Sequence, residues 1–226
     1  YVQAKELFAL AKKQGCFLME GQKAAFLPIT LQVRDQLLNK QAIGKICAIT
    51  VQESHPGIEK IPWFHDVTVG GGAFYGSASY SLEYMQLVLQ TEITDYQGQV
   101  SRVGVQADDQ TQLNLKLGSG QLASIFMTTL SEQVPSQMTF WGTEGSLMVP
   151  NYWKTDSYEL KVGKKIQQIT HPQNSEFVYE FNHVSEQILQ GEQSSDVMCP
   201  TVTLATMKII DRLYHQWYPD QMKKIR

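Results

Sequence analysis

Apolar residues recur along this chain with two different periods, and the change from one to the other organises it. At the start, "YVQAKELFALAKKQG" places Ala4, Leu7, Phe8 and Ala11 on one helical face and ends in Gly15, a residue suited to the left-handed position after a helix. The run "CFLME" from Cys16 to Glu20 predicts a short buried strand. Helix followed by buried strand is the tail of an α/β unit, and nothing upstream in the chain supplies the parallel sheet it would join. Tyr1 is neither a start methionine nor a helix cap, so residues 1–22 read as the end of a unit that begins elsewhere. After Pro28, Leu31, Arg34, Asp35 and Leu38 fall at helical spacing, with Gly44 just past the end, and "KICAITVQES" predicts a strand.

From about residue 110 the period shortens to two. "LNLKL" sets Leu113, Leu115 and Leu117 on one face, and "QMTFWGTEGSLMV" and "YELKVGKKIQQI" repeat the alternation around Gly-Thr-Glu-Gly and Gly-Lys-Lys turns, the pattern of antiparallel hairpins. Two helices close the chain. One aligns Phe177, Phe181, Val184 and Ile188 up to Gly191, the other Leu204, Met207, Ile210, Tyr214 and Trp217. The predicted fold is α+β: an open, mostly antiparallel sheet with helices packed on one face, preceded by a helix and strand of another unit. The stretch "QESHPGIEKIPWFHDVTV" is the longest irregular segment, and long loops on rigid scaffolds tend to carry function.

With 226 residues and 42% apolar content the chain can bury a sizeable core. Its net charge of −3, with lysine and arginine scattered, lacks the basic stripe that a nucleic-acid backbone requires. Cys16, Cys47 and Cys199 are widely spaced and read as reduced core thiols. No apolar run approaches the ~18–20 residues of a membrane span, and no signal-peptide pattern opens the chain, so a cytoplasmic location without membrane partners is expected.

Several motifs compete for a chemical role. "GSGQLA" at Gly118 fits a dinucleotide-binding pattern, yet strand formers flank it on both sides, which favours a hairpin turn. The histidines form no metal-spaced set, and no metal site is expected. His183 and Glu186 are placed to touch across one helical turn as a surface pair. The densest signal is "GGGAFYGSASY", Gly70 to Tyr80, where glycines are kept for positive φ or for close approach of another group. The following "SLEYMQLVL" is helical, with Tyr80, Tyr84, Leu87 and Val88 on one face and Ser77 or Ser79 as cap, which puts Tyr80 in the first turn. There the helix dipole favours negative charge, and a phenol can act as general acid or base. Tyr80 can equally be the start of a buried face.

"CFLMEGQKAAFLPI", "GGGAFYGSASYSLEY", "FWGTEGSLMVPNYW" and "EFVYEFNHVSEQILQGEQSS", in that order and at those distances, resemble the glucose-fructose oxidoreductase, inositol dehydrogenase and MocA (Gfo/Idh/MocA) family, in its dihydrodiol and xylose dehydrogenase-like branch. The resemblance covers nearly the whole chain. It implies a C-terminal substrate-binding and oligomerising domain over residues 23–226, after the last helix and strand of a nucleotide-binding domain in residues 1–22. It also implies hydride transfer between NAD or NADP and a hydroxyl or carbonyl carbon of a sugar, polyol or dihydrodiol, by a homo-oligomer assembled through the open sheet face. The cofactor would be held mainly by a domain this chain lacks, so that residues 1–226 alone would not turn over.

By position, Tyr80 is similar to the family's catalytic tyrosine or histidine, and Glu20 and Gly21 match the segment that passes the nicotinamide. Lys23 could lower the pKa of Tyr80 or hold a substrate hydroxyl, or simply be solvated after a strand. Trp63 and His65 could wall a sugar pocket, with Tyr75 a further candidate, and packing explains these residues as readily. Gly76 stands where the family has an aspartate, and this leaves a second reading open: a member that does not catalyse and serves as a binding or assembly module.

Overall fold

A computed structural model describes residues 1–103 and 106–222. Its strands are β1 (Ile46–Ser54), β2 (Ile93–Ser101), β3 (Gln110–Leu117), β4 (Leu122–Thr128), β5 (Gln137–Gly142), β6 (Gly145–Pro150), β7 (Ser157–Val162) and β8 (Lys165–Thr170). Among the described residues these make one open sheet in the order β2-β3-β4-β1-β5-β6-β7-β8, with β1 and β4 parallel and every other pair antiparallel. The period-two pattern explains the register. Leu113 and Val51 both lie opposite Ile125, Val51 faces Met138, and Leu147 faces Phe140 and Leu160, so one sheet face is a continuous apolar surface. "GSGQLA" is the β3–β4 hairpin turn, as its strand-forming flanks required, with Gly120 at positive φ.

Helices α1 (Val2–Gln14), α2 (Pro28–Arg34), α3 (Ala73–Leu89), α4 (Val178–Leu189), α5 (Pro200–Trp217) and the short α6 (Pro219–Met222) accompany the sheet. Apolar nearly all round, α3 is buried between the sheet and α5, where Gln86 Nε2 donates to Thr206 Oγ1 at 3.0 Å. The other sheet face is open and exposes Leu122 and Trp141, whose indole donates to Thr50.

Several sequence expectations change. Cys16–Glu20 is not a strand: a strand needs a ladder, and no strand among the described residues pairs with it, although Leu18 N–H donates to the Gln193 carbonyl. The helix from Pro28 ends at Arg34 and runs into a wider turn over Asp35–Asn39. In α4 the period is right and the phase is not. Phe181 and Ile188 are exposed, while the side turned inward carries Glu180, His183, Val184 and Gln187, about one residue round the helix. The three cysteines are free but not core residues, with Cys16 and Cys47 exposed.

The glycine segment forms the joint at the head of α3. Gly72, at φ +102, precedes the helix, and a Cβ there would collide with the Asp108 carboxylate. A Cβ on Gly71 would meet the carbonyl oxygens of Phe64, Asp66 and Trp63. Asp108 caps the helix from outside: its carbonyl accepts from Ala73 N–H at 2.8 Å and its carboxylate from Phe74 N–H at 2.8 Å, Thr111 Oγ1 at 2.9 Å and Tyr218 Oη at 3.0 Å. The close approach the glycines permit is therefore with the protein's own backbone and with Asp108. The helix begins at Ala73, so Tyr80 lies two turns inside it and not in its first turn, and Ser77 bonds the Ala73 carbonyl at 2.6 Å instead of capping.

Candidate functional site

Tyr80 is half-buried on α3, where the segment leading into the short turn Lys23–Phe26 passes between α3 and α4. Three carboxyl groups converge there: Glu20 from that segment, Glu83 three residues beyond Tyr80, and Glu180 from the first turn of α4. Gln22 ties them together. Its Nε2 donates to Glu83 Oε2 at 2.7 Å, and its backbone N–H donates to Glu180. A Cβ on Gly21 would stand 3.8 Å from Glu180 Oε1, in ordinary van der Waals contact.

Burial dominates the electrostatics. It pushes the Glu83 carboxyl up to about 9, with Glu20 adding to the rise and the Gln22 bond opposing it. Burial also raises Glu180, against Gln22 and Lys23. The Tyr80 phenol moves up through burial first and then through Glu180, Glu20 and Glu83, so at neutral pH it holds its proton. Gln22 Oε1 and Glu180 Oε1 are buried here without a hydrogen-bond partner, while the Glu83 carboxyl shares a hydrogen bond with Glu20. Chemically the cluster holds two protons at neutral pH, one on the Tyr80 phenol and one on the Glu83 carboxyl. Among the described residues no group of three His, Cys, Asp or Glu side chains is arranged to hold a metal ion.

The residues singled out from sequence separate into two groups. Lys23 reaches the edge of the cluster, but its ammonium pairs with Glu176 at 3.3 Å and lies 4.4 Å over the Phe177 ring. It does not lower the Tyr80 phenol, whose shift is upward. Trp63 joins the Tyr80 side of α3: its ring edge is 3.4 Å from the position of a Cβ on Gly76, one turn before Tyr80, and the side chain is 41% exposed. The place expected for an aspartate is thus covered by an indole. His65 belongs to its own loop, with Nε2 2.6 Å from the Glu59 carbonyl and the ring edge-on to Phe64. Tyr75 points elsewhere, packing over Gly70 and against Tyr214 at 5.0 Å, and it lines a separate cleft of about 720 Å³ with Val67, Asp211 and Met222. His183 bonds Ser195 at 2.7 Å and packs on Phe26.

Sequence reasoning missed Gln22, Glu83 and Glu180. The available signal was the single charge in "SLEYMQLVL", a run otherwise fit for burial, since a carboxylate inside such a helix calls for partners.

Residues 31–148 match the GFO/IDH/MocA C-terminal domain. A trans-1,2-dihydrobenzene-1,2-diol dehydrogenase of Xenopus laevis is 27% identical over 225 residues, across 95% of this chain and 67% of its own length. Among solved structures, an aldose-aldose oxidoreductase from Caulobacter crescentus complexed with glycerol superposes with a TM-score of 0.82 at 17% identity, over 95% of this chain and 65% of that one. A 3-ketoreductase from Actinomadura kijaniata, in complex with NADP and TDP-benzene, gives 0.79 at 20% identity, over 93% and 66%. The chain spans about two thirds of the length of these relatives.

Proposed function

This chain belongs to the GFO/IDH/MocA family through its C-terminal domain, and on that premise we propose that it is the substrate-binding part of an NAD- or NADP-dependent oxidoreductase acting on a sugar, polyol or dihydrodiol. Tyr80 is its proton-handling residue. The observation that carries this reading is the half-buried Tyr80 phenol held protonated beside Glu20, Glu83 and Glu180. A nicotinamide, when bound, supplies or accepts the hydride. In the reducing direction the substrate carbonyl carbon gains hydride while its oxygen takes the Tyr80 proton, and oxidation reverses both transfers. Glu20 and Gly21 would lie beside the nicotinamide when it is bound, where the Glu20 carboxyl could accept from its carboxamide N–H. Trp63 offers an exposed indole face for the apolar side of a sugar ring, and Lys23 a charged edge.

Residues 1–22 form the end of the nucleotide-binding domain in this reading. None of the α1 residues is buried, and Leu7 and Leu10 are exposed as a face that awaits cover. The open sheet face, with Leu122 and Trp141, takes a second copy of the chain. Among the described residues no helix is long and apolar enough to cross a membrane.

The test is steady-state reduction of NAD(P)+ by the full-length protein with sugars and polyols. Tyr80→Phe should lower kcat by about 10² or more, and unchanged turnover would remove Tyr80 from the chemistry. The indole over Gly76 favours a second reading, a member that binds ligand without turning it over. Retained cofactor with no turnover of any substrate would select it.

A further inference from the structure

Strand β1 leads into a histidine to which no role has been given. Glu53, near the end of β1, is fully buried, and two donors converge on its carboxylate: the Tyr152 hydroxyl, and His55 Nε2 at 3.1 Å. The His55 backbone N–H donates to the Thr128 carbonyl at 3.0 Å, so the ring leaves from backbone held by the sheet. A carboxylate on one imidazole nitrogen fixes the tautomer and the direction of the ring. Nε2 then carries the hydrogen, and Nδ1 of the neutral ring is left as an acceptor. Among the described residues no hydrogen bond or ion pair reaches Nδ1, and the side chain keeps 24% of its surface exposed.

The turn after β6 ties this ring to the Tyr80 side of the molecule. Its Tyr152 is buried against α3, with the ring 5.1 Å from Tyr84 and the phenol beside the hydroxyl of Ser81, the residue after Tyr80. Next in the chain, Trp153 is half-buried, and its ring lies 5.5 Å from that of His55. Lys154 follows, near the Glu176 carboxylate that pairs with Lys23 at the edge of the Tyr80 cluster. One turn of chain thus runs from the Tyr80 helix to the Lys23 edge, and His55 packs on its middle residue. We propose that His55, oriented by Glu53 and Tyr152, accepts a hydrogen bond through Nδ1 from a hydroxyl of the substrate. This deepens the reading of Tyr80 as the proton-handling residue: Tyr80 exchanges the proton at the reacting oxygen, and His55 holds a hydroxyl elsewhere on the same molecule. It rests on that reading for the reaction only, since the contact stands on the Glu53–His55 geometry.

The test is nitrogen NMR of the imidazoles in the full-length protein, near pH 8, where an ordinary imidazole is neutral, with glycerol as the polyol probe. Before any glycerol is added, the His55 ring should carry its hydrogen on Nε2; hydrogen on Nδ1 would overturn the proposal. Glycerol should then move the His55 Nδ1 signal saturably and leave His65 in place, because His65 Nε2 faces the Glu59 carbonyl of its own loop. No movement at His55, or equal unsaturating drifts of both rings, would assign His55 to holding Glu53 and nothing more. These readings use the wild-type protein and stand even if a variant fails to fold. With the sugar or polyol that the protein turns over, His55→Phe keeps a ring against Trp153 and removes the acceptor. It should raise KM about tenfold or more with kcat within about threefold, and His55→Gln, which restores an acceptor, should recover part of the loss. Unchanged KM in His55→Phe would also overturn the contact. A saturable His55 response in a Tyr80→Phe protein that is fully active would sink the catalytic reading alone, while an inactive Tyr80→Phe with no His55 response in the wild type would sink the His55 contact alone.

Discussion

Two buried carboxyl groups meet helix α3 at two levels, one from another part of the chain and one on the helix, and they are treated differently. At its head, Asp108 is fully buried, and its carboxylate receives the Phe74 amide and the Thr111 and Tyr218 hydroxyls. Further along, Glu83 is equally buried, yet besides the Gln22 amide its hydrogen-bonding partner is another carboxyl, Glu20. Burial pushes both carboxyls up; around Asp108 every hydrogen-bonding neighbour opposes the rise, while beside Glu83 the Glu20 carboxyl reinforces it. A buried carboxylate satisfied by amide and hydroxyl donors fastens a fold, whereas a carboxyl paired with another carboxyl weakens it and is kept at sites. The first is a joint and the second is a site.

The contrast breaks most directly at Asp108. Asp108→Ala strands the Phe74 amide and two hydroxyls and frees the head of α3, so stability should drop by about 3–5 kcal/mol, read as a lower urea midpoint. A loss below about 1 kcal/mol would mean that Asp108 is no joint. Glu83→Gln should act with the opposite sign. Because Glu83 keeps its proton in the fold and releases it on unfolding, wild-type stability falls as pH rises from the ordinary carboxyl value of 4.5 towards about 9. The glutamine variant lacks that slope. It should match the wild type near pH 4 and exceed it by a margin that widens steadily up to pH 8; equal pH–stability curves for the two proteins would place Glu83 in a satisfied environment.

The sequence displayed the joint and hid the site, for physical reasons. Period-two alternation is a local signal, so the leucines of β3 and the hairpins around Gly142 and Gly163 could be read directly. Glycine density announced a close approach but not its partner, because Asp108 lies 34 residues beyond Phe74. The same distance misplaced the helix start: Ser77 and Ser79 looked like caps, while the real cap arrives from another part of the chain. Around Tyr80 the difficulty was phase. The phenylalanines of α4 had the right spacing, but the helix turns Glu180 inward, and no local pattern ranks a carboxyl above two aromatic rings for burial. Trp63 and Lys23 were within reach of sequence because they flank the glycine segment and the "CFLME" run. His65 and Tyr75 flank the glycines too, and their rings turn to other partners.

Trp63 is where the two levels meet, and it yields the smallest and sharpest measurement. Its backbone carbonyl packs on Gly71 in the joint, while its indole leans over Gly76 on the Tyr80 side with 41% of the side chain exposed. Replacing the indole leaves the carbonyl in place, so Trp63→Ala separates the two roles. A half-exposed ring over a glycine contributes little to the fold, and stability should move by no more than about 0.5 kcal/mol. If the ring is the wall against which substrate lies, it binds ground state and transition state alike, so KM for the turned-over sugar or polyol should rise several-fold while kcat holds. A lowered midpoint with unchanged KM would assign the side chain to the joint with its backbone, and would leave the carboxyl cluster and Tyr80 without an aromatic wall.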